Sequence, residues 1–594
     1  MFTGIESKSE DESKMAEREV KADSGTQGFL DRFFDCIPEL SEGRNIFDVA
    51  AFAYRDMKGV LERHGLLEES FCARYLKRGG RKSNPNLEEC GLPYSFEYWE
   101  ENPKEIELIK SIKGILQRLS ENHHKRDLEE YLKQFHILLK SIDMKKYLNE
   151  PELTDLVLNY VLICTIDYYA HCYKTRYEAS AAYENELNEE SADLFLIYRK
   201  SPDTKFSWDG KTHGIDNTDQ KGINENLSEI FFVNTERIPE GVELSIQIYK
   251  PKEDKLHTID RGDGTKVFRI AVVPFCKGPV TSFESGAGAL FHVRYEDDYD
   301  LKYGKIAVDL LDAAIKNNCH IVVFPEYVIS KGILDLLIKH LKEIHNSGNT
   351  SGNLLFVCAG TRWDESSNNI GTLIDANGTV LAEQYKSVPY RNKIDGIEYV
   401  EDLKKPGKRI DLLDFKGFGR VQFSICRDVC STDINSNHSV IFNLFHPDLV
   451  LIPAWSGSLT RGFGAAFENM GRFGAVSILG NCCESITFML EQKKKEAEAK
   501  GTLFEANESA SVRVFTGVPS SNAGRILKIA CKHGKEDSCP VENCAIVYDL
   551  VLTNKKHRSR GSIFKIENYM MIQKDGTIKK RGVLKNYTEA SRNT

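Results

Sequence analysis

The stretch HIVVFPEYV, residues 320–328, runs four apolar residues, Ile321 to Phe324, into Pro325 and then Glu326. A short continuous apolar run closed by proline suits a strand buried on both faces better than a half-exposed hairpin strand. On its N-terminal side, KVFRIAVVPF reads as a second strand and DLLDAAIKNN as a helix. On its C-terminal side, SKGILDLLIKHLKEIHN reads as a helix and NLLFVCAGTRW as a further strand. Apolar strands alternating with helices imply a sheet covered by helices on at least one face, so the chain from about Val267 onward is expected to be α/β.

With 594 residues the chain exceeds one ordinary core, and two or three domains are expected. Hydrophobic content of 41% and charged content of 28% describe a soluble globular protein. A formal net charge of -9 argues against a general nucleic-acid binder, because neutralising phosphates takes a basic surface. The first 27 residues mix acids and bases without the apolar stretch of a secretory signal, so they are expected to form a solvated tail. The apolar run LVLNYVLICTIDYYAHCY from Leu156 is broken by Asp167 and His171, and reads as a buried helix rather than a membrane span. Fifteen cysteines, an odd number without regular spacing, point to a reducing cytoplasm rather than a disulfide framework.

The organisation follows from changes of rhythm. Residues 28–200 carry apolar positions at helical spacing, as in EIELIKSIKGILQRLSE and DLEEYLKQFHILLKSI, and are expected to form a mostly helical N-terminal domain without attached chemistry. Residues 201–266 begin with turn composition and then hold short strands such as IFFVN and VELSIQIYK, which makes them a linker region. The α/β domain is placed at 267–552, with a C-terminal extension over 553–594. Within it, EQKKKEAEAK (491–500) reads as a solvated helix or insert, and Cys482 with Cys483 as part of a core strand.

Three segments of this domain carry reactive side chains at the ends of expected strands. Glu326 closes HIVVFPE, Lys386 follows the strand introduced by a DANG turn in DANGTVLAEQYK, and Cys426 ends the alternating run VQFSIC. Taken singly, each has an ordinary reading: a helix-start carboxylate, a surface lysine, a core thiol. Taken in order, they match a known arrangement.

This half of the chain resembles the nitrilase superfamily of carbon–nitrogen hydrolases. The resemblance rests on VVFPE, IDANGTVLAEQYKSVPYRN, ICRD, PDLVLIPAWSG and FENMGRFGAVSILGNCCES, and runs from about Val267 to Leu552. It implies an α-β-β-α sandwich, preceded here by the helical domain. It also implies a Cys-Glu-Lys thioester mechanism on an amide or related non-peptide carbon–nitrogen bond of a small molecule. In this carry-over Cys426 is the nucleophile, Glu326 the general base and acid, and Lys386 the stabiliser of the developing negative charge, helped by the backbone N–H of Arg427. The family's second glutamate falls in KIDGIEYVEDLKKPGK, where Glu398 and Glu401 both stand; the interval to the Pro-Gly pair favours Glu401. No cofactor is implied, and pairing into a homodimer or higher homo-oligomer is. The departures, Val388-Pro389 after the lysine and Arg427 after the cysteine, bear on the substrate. A second reading makes the domain a catalytically silent or regulatory module in a multi-protein assembly, for example in antiviral defence.

Two other signals compete. Tyr295-Glu296-Asp297-Asp298 spells a polymerase metal motif, but its flanks lack the hydrophobic hairpin such a motif needs, and a solvated acidic loop is expected. Cys531, His533, Cys539 and Cys544 lie within fourteen residues and offer soft ligands for a structural zinc, without the paired C-x-x-C knuckles that make such a signal strong.

Overall fold

The computed structural model describes residues 46–63, 159, 163, 194–198, 230–234, 238–249, 259–260, 266–275, 278–284, 289–347, 352–394, 397–415, 419–430, 437–445, 447–456, 462–472, 475–503, 512–518, 525–530, 544–552 and 564–583. The chain divides into two units: Met1–Thr175 with Ala181–Leu196 and Asp216–Phe232, and Arg176–Ser180 with Ile197–Ile215 and Val233–Thr594.

In the first unit, helix α1 (Ile46–Arg63) buries Ala50, Ala53, Tyr54, Met57, Val60 and Leu61, positions three and four apart that share one face. Tyr54 stacks on Phe232, and Asn159 Nδ2 donates to Asp56 Oδ2 at 2.9 Å. Strands β1 (Leu194–Tyr198) and β2 (Ile230–Asn234) pair with each other. The first of them lies within 28–200, the span expected to be mostly helical: LFLIY is a five-residue apolar run with an aromatic at its end, which suits a strand and is too short for a helix. Apart from α1, β1, Asn159 and Ile163, the span 28–200 lies outside the described residues.

The second unit continues through β3 (Glu243–Tyr249), β4 (Ile259–Asp260), β5 (Lys266–Val272), β6 (Val280–Glu284), β7 (Leu290–Arg294), α2 (Tyr299–Lys316), β8 (Ile321–Val323), α3 (Lys331–Asn346), β9 (Phe356–Trp363), β10 (Asn369–Asp375) and β11 (Val380–Tyr385). Then come β12 (Arg391–Ile394), β13 (Ile397–Glu401), β14 (Arg409–Phe415), β15 (Gly419–Phe423), α4 (Arg427–Cys430), α5 (Asn437–Phe445), β16 (Leu449–Ala454), α6 (Gly462–Arg472) and β17 (Val476–Asn481). The last are α7 (Cys483–Ala499), β18 (Val512–Val518), β19 (Arg525–Ala530), β20 (Cys544–Leu552), β21 (Phe564–Gln573) and β22 (Ile578–Val583).

Among the described residues this unit holds three mixed sheets. A nine-stranded sheet runs β11-β10-β9-β8-β5-β20-β21-β22 with β4 on β5; a seven-stranded sheet runs β19-β18-β17-β16-β15-β14-β3; a four-stranded sheet runs β12-β13-β7-β6. At the centres, β5, β8 and β9 are parallel, as are β15, β16 and β17. The large sheets therefore extend beyond 267–552 on both sides, through β3 at one end of the chain segment and β21 and β22 at the other.

Side-chain alternation shows how the layers stack. Phe268, Ile270, Val272, Ile321, Val323 and Cys358 share one core with Phe423, Leu451 and Ile478 of the seven-stranded sheet. Their neighbours Ala271, Val322 and Val357 turn the other way, onto Leu310 and Leu311 of α2 and Ile333, Leu337 and Leu341 of α3. The outer face of the seven-stranded sheet meets α5 and α6; Ser477 Oγ, for instance, donates to Met470 Sδ. The order is helices, sheet, sheet, helices. The two sheets lie so close at Gly371 that a Cβ there would stand 2.3 Å from Phe423 Cζ, which only glycine avoids.

Local chemistry places the elements. Ser330 caps α3 by accepting from the Ile333 N–H at 3.1 Å. Asp375 Oδ1 accepts from the backbone of Asn377 and Thr379, and Gly378 takes φ +80, which closes the β10–β11 hairpin. Residues 491–499 are helical, as the charge pattern suggests, in the last turns of α7. Cys482 and Cys483 are not strand residues: β17 stops at Asn481, whose side-chain amide donates to Ser456 O and Ser485 Oγ, and Cys482 caps α7 while Cys483 opens it. Among the described residues no helix is long and apolar enough to cross a membrane.

Candidate active site

The ends of parallel strands from both large sheets meet over a buried cluster of charge. Glu326 stands just beyond β8, and its backbone N–H reaches across to Ala454 O at the end of β16. Here β9 must pass close to Pro325: Gly360, at φ +64, has no room for a Cβ, which would fall 2.0 Å from Pro325 O. Tyr327 follows with φ +65, held by its N–H to Thr361 Oγ1 at 2.9 Å. Lys386 follows β11, and Glu401 ends β13.

Cys426 comes three residues after β15, at φ +45, a left-handed conformation that costs a non-glycine residue about 1–2 kcal/mol. Its N–H bonds Pro453 O at 2.9 Å, and the Asp428 N–H returns to Ile425 O, so the chain turns sharply into α4. The turn brings the thiol near enough to the Glu326 carboxylate that each shifts the other's pKa.

Burial is nearly complete, at 0% exposure for Glu326, 1% for Lys386, and 2% for Glu401 and Cys426. The surface reading of Lys386 is thereby corrected: the hairpin turns its ammonium inward, where two carboxylates receive it. Lys386 Nζ donates to Glu326 Oε1 at 2.8 Å and to Glu401 Oε2 at 2.6 Å. Glu398, the other candidate, is exposed and pairs with Arg391 at 3.7 Å. The structure thus brings Glu326, Lys386, Glu401 and Cys426 together and leaves Glu398 out. Arg427 is the first residue of α4, directly after the thiol.

The electrostatics follow from counting charges. Burial opposes the ammonium of Lys386, but Glu326 and Glu401 outweigh it and hold the lysine above its ordinary pKa. Two carboxylates share that single cation. Burial raises the pKa of Glu326; Lys386 counters this and the charge of Glu401 adds to it, leaving the carboxyl above its ordinary value. Burial, then the negative charge of Glu326, pushes the Cys426 thiol well up, so at rest it keeps its proton. Such a thiol becomes a nucleophile only when a base takes the proton as it attacks.

The two glutamates are held differently. Glu401 accepts from Lys386 Nζ and the Tyr390 N–H on Oε2, and from the Tyr327 hydroxyl and Asn369 Nδ2 on Oε1. Four donors fix its orientation. Glu326 accepts from Lys386 and Asn369 on Oε1 and from the Trp455 N–H on Oε2, and it also meets the thiol. Aromatic rings surround the lysine, with Nζ 5.7 Å from the Tyr327 ring centroid and 6.0 Å from that of Tyr390.

A second buried cluster lies on the other side of the cysteine turn. Asp428 Oδ1 accepts from the N–H groups of Ser387 and Val388, at 3.0 and 2.7 Å, and so ties the residues after Lys386 to the residues after Cys426. His438 of α5 stands 3.6 Å from Asp428 and hydrogen-bonds Ser424 Oγ through Nδ1 at 2.9 Å. Burial lowers the His438 pKa to about 3, so the two are not an ion pair at neutral pH. Burial also raises the Asp428 pKa to about 8.

Asn369, Tyr327, Asp428 and His438 are missing from the sequence-based set. Asp428 sits two residues from the cysteine, and Tyr327 directly after the glutamate, so adjacency was the available signal. Asn369 and His438 carry none, since one arrives from the start of a strand and the other from a helix whose approach to the turn is set by the fold.

The zinc candidates Cys531, His533 and Cys539 lie outside the described residues; Cys544 opens β20 and is buried. Among the described residues no group of three or more His, Cys, Asp or Glu side chains is arranged to hold a metal ion. The acidic stretch after Tyr295 starts α2: Asp298 caps it, and Lys302 pairs with Asp298 at 2.7 Å and Glu296 at 3.5 Å. Tyr295 turns inward and donates to Tyr327 O at 2.8 Å.

No family model matches the chain, and no curated protein matches it. Among solved structures, it is similar to an amidase from Nesterenkonia sp. AN1. A mutant showing Michael addition of acrylamide at the active-site cysteine is 15% identical, over 36% of this chain and 78% of that one, with TM-score 0.25. A double mutant in complex with acrylamide is 13% identical, over 51% and 95%, with TM-score 0.30. A further mutant, described as an amidase from the nitrilase superfamily, is 12% identical, over 54% and 88%, with TM-score 0.26. Likeness at this level says nothing of what this chain does.

Proposed function

We propose that the chain is a carbon–nitrogen hydrolase of the nitrilase type, which cleaves a small non-peptide amide through a thioester on Cys426. One observation carries the reading: a buried lysine clasped by two glutamates, at 2.8 and 2.6 Å, one of which is electrostatically coupled to a buried thiol on a strained turn. Packing alone gives no reason to assemble these groups, because desolvating three charges is costly.

In the proposed mechanism Glu326 takes the thiol proton as Cys426 Sγ attacks the amide carbon. The oxygen of the tetrahedral intermediate gathers negative charge, stabilised by the Lys386 ammonium and the Arg427 backbone N–H. Glu326 passes its proton to the nitrogen, the carbon–nitrogen bond breaks, and ammonia or an amine leaves. Glu326 then takes a proton from water, whose oxygen attacks the thioester; the tetrahedral intermediate expels sulfur, which recovers the proton. The sum is amide plus water to acid plus amine, with the enzyme unchanged. Glu401 keeps Lys386 charged and in place throughout. All the chemistry as written uses side chains and backbone. Assembly as a homo-oligomer and a cytoplasmic setting belong to the same proposal.

The test is alkylation of the full chain by iodoacetamide, an amide-bearing electrophile, followed by intact mass. Labelling is expected to be lost in Cys426→Ala and retained in Cys430→Ala. Slow, equal labelling of both cysteines would sink the reading. A screen of small amides for ammonia release then identifies the substrate.

A further inference from the structure

One side chain touches both carboxylates and has no part in the mechanism above. Asn369, the first residue of β10, is 1% exposed. Its Nδ2 donates to Glu326 Oε1 at 2.8 Å and to Glu401 Oε1 at 3.0 Å, one proton to each. Its backbone oxygen accepts from the Lys386 N–H at 2.9 Å. A single residue thus contacts three members of the cluster.

The orientation of this amide is forced. Turned over, its oxygen would face two carboxylates and repel both. The forced orientation leaves Oδ1 buried without a hydrogen-bond partner among the described residues. A buried acceptor in that state is costly, and an apolar side chain of similar size would avoid the cost. Asparagine at this position is explained by what its nitrogen does.

We propose that Asn369 is a positioning residue for the hydrolytic centre: its one amide nitrogen sets Glu326 and Glu401 in fixed orientation about Lys386, leaving the rest of Glu326 for the thiol. The inference rests on the hydrolase reading above. It goes beyond it by giving the two carboxylates a shared device that keeps their roles distinct. The hydrogen bond from Asn369 to Glu326 favours the ionised form of that carboxyl. Without the amide, Glu326 holds a proton to higher pH and is lost as a base over that range. A residue that merely filled space would change stability or rate without moving that pH dependence.

The experiment measures Cys426 alkylation by iodoacetamide in the full chain from acid to alkaline pH, for wild type, Asn369→Ala and Asn369→Asp. Asn369→Ala is expected to slow labelling about tenfold at neutral pH and to move the acid-side midpoint up by about half a unit or more. Asn369→Asp keeps the shape but exchanges a donor for a third carboxylate, so its midpoint moves further still. If Asn369→Ala fails to fold, the near-isosteric Asn369→Asp decides alone. Midpoints unchanged from wild type in the folded variants overturn the inference. The wild-type profile is read first: if Cys426 there labels no faster than Cys430, the hydrolase reading fails and the inference with it, an outcome distinct from an unmoved midpoint.

Discussion

Two buried polar clusters flank the same cysteine turn, and they settle their charge in opposite ways. On one side Glu326, Lys386 and Glu401 meet as an ion triad, and the carboxylates hold the lysine charged against its burial. On the other side Asp428 and His438 lie 3.6 Å apart, and burial moves both towards their neutral forms, to about 8 and about 3. Both clusters are buried, so burial does not account for the difference. A cation with two anions about it can meet the cost of desolvation, whereas an imidazole surrounded by hydroxyls cannot hold a proton. In the proposed mechanism the first cluster moves protons. The second is equipped to hold the backbone of 387–388 against the turn that follows Cys426.

Removing the cation breaks this comparison most severely. Lys386→Met leaves two carboxylates facing each other in the core, and breaking such a group is expected to cost about 3–5 kcal/mol of stability. It also removes the charge proposed to stabilise the tetrahedral intermediate, so turnover is expected to fall by roughly a thousandfold or more. Denaturant unfolding together with the labelling rate of Cys426 separates the two losses. Adding Glu401→Gln to Lys386→Met is expected to recover part of the stability and none of the activity. Recovery of neither would mean that repulsion between the carboxylates is not the cause.

The fold and half of the site could be read from the chain, for separable reasons. HIVVFPE, VQFSIC and the DANG turn advertise themselves through periodicity and local hydrogen bonding, so β8, β15 and the β10–β11 hairpin stand where the sequence suggests. Glu326, Lys386 and Cys426 follow those strands and were found with them. LFLIY could not be singled out within a span expected to be mostly helical, because a five-residue apolar run has no period of its own and takes its state from a partner, here β2. Lys386 alone looked like a surface residue because its burial depends on Glu401, fifteen positions on in another sheet. Asn369 was invisible for the same reason, since its contacts span tens of residues, and His438 takes its meaning from Asp428 and Ser424, which only the fold brings to it. VELSIQIYK was read as a linker strand, yet as β3 it pairs along its whole length with β14, a partner that no local signal could name.

The second cluster makes a smaller, pH-dependent contribution with a definite sign. The Asp428 pKa is raised above the ordinary carboxylate value, so between about pH 4 and about 8 the folded chain holds a proton that the unfolded chain has released. Its share of stability is full below that window and is lost as pH rises through it. The His438 pKa is lowered, so its share is present above about pH 6.5 and is lost as pH falls towards about 3. The two slopes oppose each other below pH 6.5, and only that of Asp428 remains from there to about 8. Asp428→Asn keeps an oxygen to accept from Ser387 and Val388, and is expected to flatten the decline between pH 6.5 and 8 by on the order of 2 kcal/mol. His438→Gln removes the opposing slope, and relative to wild type it is expected to gain on the order of 2 kcal/mol as pH falls from 6.5 to 5. Chemical unfolding across pH reads both, and a slope unchanged in Asp428→Asn would show that Asp428 is already ionised in the folded chain.

The smallest expected effect sharpens the comparison most, because it concerns two like side chains four residues apart. Cys426 and Cys430 stand at either end of the same turn, and burial raises the pKa of both thiols. Burial therefore cannot decide which is reactive. Cys426 is coupled to the Glu326 carboxylate, which can take its proton, whereas Cys430 is influenced chiefly by Arg427 and Asp428, and the Asp428 oxygen Oδ1 is engaged by two backbone N–H groups. Cys430 is half-buried against the core between and behind the sheets, so Cys430→Ala removes one small apolar contact and is expected to cost about 1 kcal/mol or less. Labelling of Cys426 in that variant is expected to stay within about twofold of wild type, since nothing that serves its proton transfer is touched. A loss of labelling much larger than this, with the fold intact, would place Cys430 inside the reactive group and transfer part of the nucleophile's activation from Glu326 to its neighbour on the turn.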